Sequence, residues 1–307
     1  MNTSFLVAAV IASTPLLLAT LGELLTEKAG HLNLGVEGMM LLGAVAGFAA
    51  GYYTNDPLLA IIGAGAAGGL GGLIFGFLTI TLRANHTVSG LTLTIFGTGV
   101  SSFAGTTFIG KKMSAEFIEF FNPVAIPVLS KIPVLGPMLF NQDFFVYLAL
   151  LLAVLLGIYL YRTRYGVNLI AVGENPGAAD ASGIHVELYK YIHVVFGGAL
   201  CGLGGAYLAT VDVPQWQEQI TAGRGWIAIA LVIFVSWNPY KAILGALLFG
   251  GLSIVGFRLQ QLNVSQNLLD ALPYLVTILV LVISSFKQSK ENAPPKALGS
   301  PYFREER

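Results

Sequence analysis

Nine stretches of this chain stay apolar for long enough to cross a lipid bilayer, and that repetition settles the fold class before any motif is weighed. A spanning helix needs about 20 mainly apolar residues, because the hydrocarbon layer is about 30 Å thick and each helical residue advances about 1.5 Å. The candidates lie near residues 4–22, 33–53, 57–82, 88–109, 143–161, 189–211, 224–237, 240–258 and 266–286. Lipid offers no partner to a backbone N–H or C=O, so each stretch is expected to be a helix whose bonds are internal. The seventh and eighth are short, and the apolar 120–140 stretch is broken by prolines. The expectation is an all-α polytopic membrane bundle of eight to ten spans. Charged residues make up only 10% of the chain and the formal net charge is zero, so no electrostatic signal points to nucleic acid. No basic run precedes residues 4–22 and no small-residue cleavage site follows them; they read as a first span.

Orientation follows from the basic residues, which are retained on the cytoplasmic side. With the N-terminus outside, Lys28, Arg83, Arg162, Arg164, Lys190, Lys241 and the basic residues beyond 286 fall inside, whereas Lys111, Lys112, Lys131, Arg224 and Arg258 fall outside. The expected topology is therefore N-out and C-in, with the 163–188 loop cytoplasmic and the proline-rich 110–142 loop external. Residues 1–286 form the membrane domain. Residues 287–307, with Pro294, Pro295 and a charged end, are expected to be a disordered cytoplasmic tail. PLLAIIGAGAAGG (Pro57–Gly69) aligns without a gap on PYKAILGALLFGG (Pro239–Gly251), and in this topology the two copies run in opposite directions. An inverted repeat is the usual skeleton of a transporter with a mid-membrane site. The plainer alternative is chance recurrence of the small residues that let membrane helices approach closely.

One polar, well-delimited stretch stands out: AVGENPGAADASGI, residues 171 to 184. Asn175 is a good N-cap, Pro176 sits at the first helical position where its missing N–H costs nothing, and Gly183 suits the left-handed residue that ends a helix. Ala178, Ala179 and Ala181 give a low-bulk surface, and Glu174 and Asp180 supply charge. Two readings stay open at this point. The helix is an ordinary connector, or it is a rigid knob gripped by a partner protein, since preorganisation lowers the entropy lost on docking.

Within the spans polar residues are few. Glu37 follows Asn33 by about one helical turn, and an ionisable group inside a membrane is usually buried in the bundle and functional. It lines a solute path or, with Asn33, satisfies backbone N–H groups freed where Gly35 and Gly38 interrupt the helix. Thr94 and Thr98 share one helix face with Ser101, a stripe that suits a hydroxylated solute or interhelical hydrogen bonds. Phe96 and Trp226 suit stacking on a nucleobase or ordinary packing. No catalytic constellation is complete. GTTFIGKK, Gly105 to Lys112, imitates a phosphate-binding loop but ends on Lys112 where Ser or Thr is required, and it lacks the preceding strand and following helix. His31, His86, His185 and His193 pair with no carboxylate at ligand spacing and Cys201 stands alone, so no metal or cofactor is expected on this chain.

Three segments carry a resemblance to a known family: TRYGVNLIAVGENPGAADASGI with the following GGALCGLGGAYLA, GELLTEKAGHLNLGVEGMMLLGA at 22 to 44, and GRGWIAIALVIFVSWNPYKAILGALLFGG at 223 to 251. They resemble the permease subunits of binding-protein-dependent ABC importers, in the branch of ribose, branched-chain amino acid and nucleoside permeases, and within it the nucleoside or simple-sugar type most. One departure is WNPYK, with Asn238 and Tyr240 in place of a glycine-rich turn. The resemblance implies a bacterial inner-membrane permease with no catalytic residues of its own. Its implied partners are a separate ATPase that uses ATP and magnesium, a second similar permease subunit in a heterodimer, and an extracytoplasmic solute-binding lipoprotein. The implied cargo is a small molecule, nucleosides ahead of ribose-like sugars or branched-chain amino acids. It further implies that Gly173, Glu174, Asn175, Pro176, Ala178, Ala179 and Gly183 form the helix that the ATPase grips. Asn33, Glu37, Thr94, Phe96, Thr98 and Trp226 remain the residue-based candidates for the solute path. The alternative from another class is an ion-coupled carrier, but that calls for ionisable groups in mid-span, and apart from Glu37 near one end the spans are almost empty of charge.

Overall fold

Among the described residues the long apolar runs become helices, and polar side chains cap the starts of several. The computed structural model describes residues 3–259, 271–272, 275–279, 282 and 293–304. In chain order, α1 (Thr3–Lys28) and α2 (Val36–Thr54) are followed by α3 (Pro57–Gly76), which a π-helical turn extends to Thr81, and by α4 (His86–Gly105). A peripheral lobe holds α5 (Ala115–Phe120), α6 (Leu135–Leu139) and a two-residue antiparallel ladder between β1 (Val124–Ala125) and β2 (Asn141–Gln142). Then come α7 (Phe144–Arg162), α8 (Arg164–Glu174), α9 (Pro176–Ala181) and α10 (Val186–Tyr207), the last extended to Asp212. α11 (Arg224–Phe234) and α12 (Pro239–Leu259) follow, and residues 272, 275–279 and 282 are also helical.

Among the described residues seven helices are long and apolar enough to span: α1, α2, α3, α4, α7, α10 and α12. The expected seventh span, 224–237, is shorter than read. α11 has 11 residues, about 16 Å of helix and half a bilayer, because residues 221–223 form a turn ahead of it and Ser236 and Trp237 take positive φ just after it ends. The expected 266–286 span falls largely outside the described residues.

The first helix is the middle of the bundle, not its edge. Leu16, Leu18, Leu21 and Leu24 of α1 are fully buried, and α1 packs on α7, α10, α11 and α12. α10 is the second pillar, against α1, α2 and α3. Small residues make this possible: a Cβ on Gly205 would lie 1.8 Å from the Met40 carbonyl oxygen, and one on Gly202 would lie 2.4 Å from that of Ala64. Without a strong hydrophobic drive between helices in lipid, backbone approach of this kind supplies the van der Waals contact that holds spans together. The remaining apolar side chains point outward, as with Ile62 and Leu70 on α3, Ile95 and Phe103 on α4, and Leu151 and Leu155 on α7.

The aligned repeat segments open α3 and α12. Each begins on proline after a capping side chain: Asp56 Oδ1 accepts from Leu58 N at 2.8 Å, and Asn238 Oδ1 accepts from Tyr240 N at 2.9 Å. They start at opposite ends of the bundle, α3 beside α5 through the Asn55–Glu116 bond and α12 beside the end of α1 through Trp237 and Glu27. The two copies therefore run in opposite directions.

The expected disorder of 287–307 does not hold for residues 293–304. That segment lies against the end of the bundle where α1, α8 and α9 meet. The N–H groups of Ala297 and Gly299 find the free carbonyls of Gly173 and Gly30, and Leu298 and Tyr302 add apolar contact. Prolines forbid a helix there without forbidding a packed strap.

Candidate functional site

Two helix N-termini meet inside the bundle. After α1 ends, the chain folds back so that Asn33 N donates to Glu23 Oε1 at 3.0 Å, which starts α2 more than a turn inside the end of α1. Asn33 Oδ1 accepts from Gly35 N at 2.9 Å and holds the turn. Glu37 stands in the first turn of α2, where a negative charge favours the helix dipole. Its side chain crosses to the start of α11. Thr221 Oγ1 and Gly223 N donate to Oε1 at 2.5 and 2.9 Å, and Gly225 N donates to Oε2 at 2.6 Å. These amides belong to the orphan donors of a helix start, which lipid leaves unpaired. An ionised carboxylate, an acceptor only, satisfies all three without conflict.

α4 closes one side. A Cβ on Gly97 would lie 2.5 Å from the Gly38 carbonyl oxygen, and one on Gly90 would lie 2.6 Å from Leu34 N. Thr94 Oγ1 donates to Leu34 O at 2.8 Å, and Thr98 Oγ1 donates to its own helix at Thr94 O, also at 2.8 Å. Asn33, Glu37 and Thr94 are thus brought together around the α1–α2 turn. Phe96 leaves the opposite face of α4 and is half-exposed, and Trp226 is 37% exposed on α11. Sequence reasoning missed the partners of Glu37, namely Thr221, Gly223 and Gly225. The available signal was a polar, glycine-bearing run ahead of an unusually short apolar segment. It also missed that Glu23 and Glu27 are fully buried, Glu27 Oε2 accepting from Trp237 Nε1 at 2.5 Å. The departure at WNPYK has a local reason: Ser236 and Trp237 both take φ of +54° without glycine, a turn that aims the indole at Glu27. In the α1–α2 loop His31 stacks on His86, ring centroids 4.5 Å apart, and burial holds the His31 pKa well below the usual histidine range, with Lys190 and His86 adding to the shift.

At the end of the bundle beyond Lys28, α9 has the predicted boundaries. Asn175 Oδ1 accepts from Ala178 N at 3.0 Å, Pro176 opens the helix, and Gly183 turns the chain at φ +82°. Gly173 sits so close to Lys28 that a Cβ would lie 2.2 Å from its carbonyl oxygen. Glu174 is half-buried. The two central alanines differ: Ala178 is exposed, whereas Ala179 is buried against Val172 and Val186. α8, which the sequence reading passed over, carries this knob; Thr163 Oγ1 caps it by accepting from Gly166 N at 3.1 Å.

A multi-pass bundle with reversed helix copies, two helix starts joined in its interior and a capped helix at one end has the build of a membrane transport subunit. The family described as "Branched-chain amino acid transport system / permease component" matches residues 5–281, and the chain belongs to it. A Haloferax volcanii protein with the provisional name glucose ABC transporter permease protein TsgC13 is 38% identical, over 97% of each chain. The nucleoside ABC transporter permease protein NupC of Lactococcus lactis subsp. cremoris is 35% identical, over 96% of this chain and 95% of its own. Among solved structures, an inward-facing conformation of an ABC transporter provisionally assigned to the metal-chelate type superposes with a TM-score of 0.52. At 12% identity, over 92% of this chain and 85% of that one, it supports the fold alone. The chain is an ABC transporter permease of the sugar and nucleoside type.

Proposed function

We propose that this permease conducts nucleosides across the bacterial inner membrane and is driven by a separate ATPase that grips α9. The observation that carries the reading is α9 itself, a six-residue helix capped at both ends that presents Gly177 and Ala178 outward from the bundle end richest in basic residues. ATP and magnesium belong to the ATPase. A second similar permease subunit, forming a heterodimer, and an extracytoplasmic solute-binding lipoprotein complete the assembly, with N-terminus outside and C-terminus inside. Movement of α9 is passed to the spans as a rigid-body shift. Glu37 holds α2 to α11, and Phe96 and Trp226 offer aromatic faces to a base. NupC, similar over nearly its whole length, supports nucleosides. The 38% identity to TsgC13 favours a second reading, a sugar.

The test is uptake by the complex, with its ATPase and binding protein, in proteoliposomes. Labelled adenosine is expected to enter only with ATP, and glucose, ribose and leucine are expected to stay out. ATP-driven glucose or ribose uptake without adenosine uptake replaces the solute. Uptake driven by an ion gradient with no ATPase present replaces the mechanism.

A further inference from the structure

Residues 293–304 touch each piece of chain that surrounds α9. Ala297 N donates to Gly173 O at the end of α8, and Gly299 N donates to Gly30 O in the α1–α2 loop, both at 3.0 Å. Leu298 packs on the cluster that contains Leu24, Leu160 and Leu169. Tyr302 packs on Val172, Ala179 and Val186, and its hydroxyl donates to Asp180 Oδ2 at 3.0 Å. Arg304 Nε pairs with the same oxygen at 3.1 Å, and Phe303 lies under the Arg83 guanidinium at 4.6 Å.

α9 needs outside support. A single turn and a half of helix does not hold itself in water, and Gly173, Gly177 and Gly183 flank or enter it. Nothing lies within 4 Å of a Cβ placed on Gly183. Pushed from below without support, such a helix swivels about its glycines and the push is lost. We propose that residues 293–304 are a clasp that makes α9 one body with the α1–α2 loop, and that Tyr302 is its main positioning residue. The inference rests on the reading of α9 as the helix an ATPase grips. Through the clasp, displacement of α9 reaches Gly30 and the turn that seats Asn33 and Glu37, in addition to α8 and α10. Tyr302 outweighs Arg304. The arginine side chain is 78% exposed, and an ion pair in water contributes little, whereas Tyr302 adds apolar burial and a bond to a carboxylate only 24% exposed.

The experiment uses the assembled complex in proteoliposomes and whichever of labelled adenosine or glucose the wild type takes up. Tyr302→Ala is expected to lower solute moved per ATP hydrolysed by roughly tenfold, the scale set by losing a half-buried ring contact and one hydrogen bond to a charged group. Tyr302→Phe is expected to lower it about threefold and Arg304→Ala less than twofold. Hydrogen exchange of residues 176–184 is expected to quicken about tenfold in Tyr302→Ala while that of α7 stays unchanged. A Tyr302→Ala complex with wild-type stoichiometry and unchanged exchange overturns the clasp. Ala178→Arg, tested beside it, separates the two ideas: if it uncouples while Tyr302→Ala does not, the clasp alone fails, and if it does not uncouple, the reading of α9 fails. Should Tyr302→Ala not assemble, Tyr302→Phe decides, because its loss of one hydroxyl leaves the packing in place.

Discussion

Replacing Glu37 with glutamine isolates the bond between α2 and α11. The carboxylate takes three donors on two oxygens, two from the start of α11 and one from Thr221. Glutamine has the same shape but keeps a single acceptor oxygen, so an amide N–H₂ is turned on at least one backbone N–H. An unpaired buried donor costs about 1–3 kcal/mol, and removing the charge from two helix N-termini costs about 0.5–2 kcal/mol more. The expected loss for Glu37→Gln is about 3 kcal/mol, and for Glu37→Ala, which strands all three donors, about 4–5 kcal/mol. For a chain of this size one kcal/mol moves the melting point by about 2 °C, so Glu37→Gln is expected to melt about 6 °C lower. The assay heats the detergent-solubilised protein for fixed intervals and measures the fraction that stays monodisperse, with Thr221→Val as the one-bond comparison at about 2 °C. A Glu37→Gln protein that melts within 1 °C of wild type, to use roughly the resolution such shifts allow, refutes the argument. If that protein also binds solute more weakly, Glu37 belongs to the path and not to the frame.

The two alanines of α9 should separate docking from packing. Ala178→Arg, on the exposed side, is expected to leave the melting point unchanged and abolish ATP-driven uptake, whereas Ala179→Arg buries a charge against Val172 and is expected to cost roughly 3 kcal/mol or more in stability. Gly205→Ala puts a methyl 1.8 Å from the Met40 oxygen and is expected to cost about 3 kcal/mol. Gly99→Ala meets nothing within 4 Å and is expected to raise stability by up to about 1 kcal/mol through helix propensity; parallel thermal assays on both check the close approach of α10 to α2. Gly173→Ala forces the end of α8 away from Lys28, whose oxygen would lie 2.2 Å from the new carbon. It is expected to lower transport per ATP several-fold, measured against Gly177→Ala, whose new carbon meets only the Asn175 side chain at 3.5 Å.

Local grammar was legible and distant pairing was not. Caps, first-turn prolines and the left-handed glycine of α9 are properties of a few adjacent residues, so Asn175, Pro176 and Gly183 could be placed from the sequence. Asp56 and Asn238 follow the same rule ahead of α3 and α12. That α11 stops as early as Phe234 was not legible, because its short apolar run continues through Val235 and Trp237. What ends the helix there is a pair of left-handed residues selected by a contact with Glu27, more than two hundred positions earlier. Burial of Glu23 and Glu27 was hidden for the same reason. Two acids at the end of a first span look like a solvated helix end unless α10, α11 and the α1–α2 turn are already known to cover them. The order of residues 293–304 was hidden by composition, since a short, proline-bearing polar stretch resembles disorder unless free backbone carbonyls await it.

Those hidden contacts share one geometry. Glu23 to Asn33 closes the α1–α2 turn itself, and the others join it to something far away in sequence: Glu27 to Trp237, Gly30 to Gly299, Lys28 to Gly173, Glu37 to the start of α11. A loop whose role was only to reverse the chain would need none of them, and in a membrane each such contact offsets part of the cost of a polar turn, in which Glu23 Oε2, Glu27 Oε1 and both His31 ring nitrogens find no hydrogen-bond partner among the described residues. The turn is therefore the node at which the end of α8, the clasp and the half-length α11 meet. Because packed elements shift between discrete arrangements and do not deform continuously, a displacement at Gly173 either leaves this node in place or carries Asn33 and Glu37 with it. Coupling through α9 requires the second outcome, which is why the glycine at 173 should matter to transport more than the one at 177, although only the latter lies inside the helix itself.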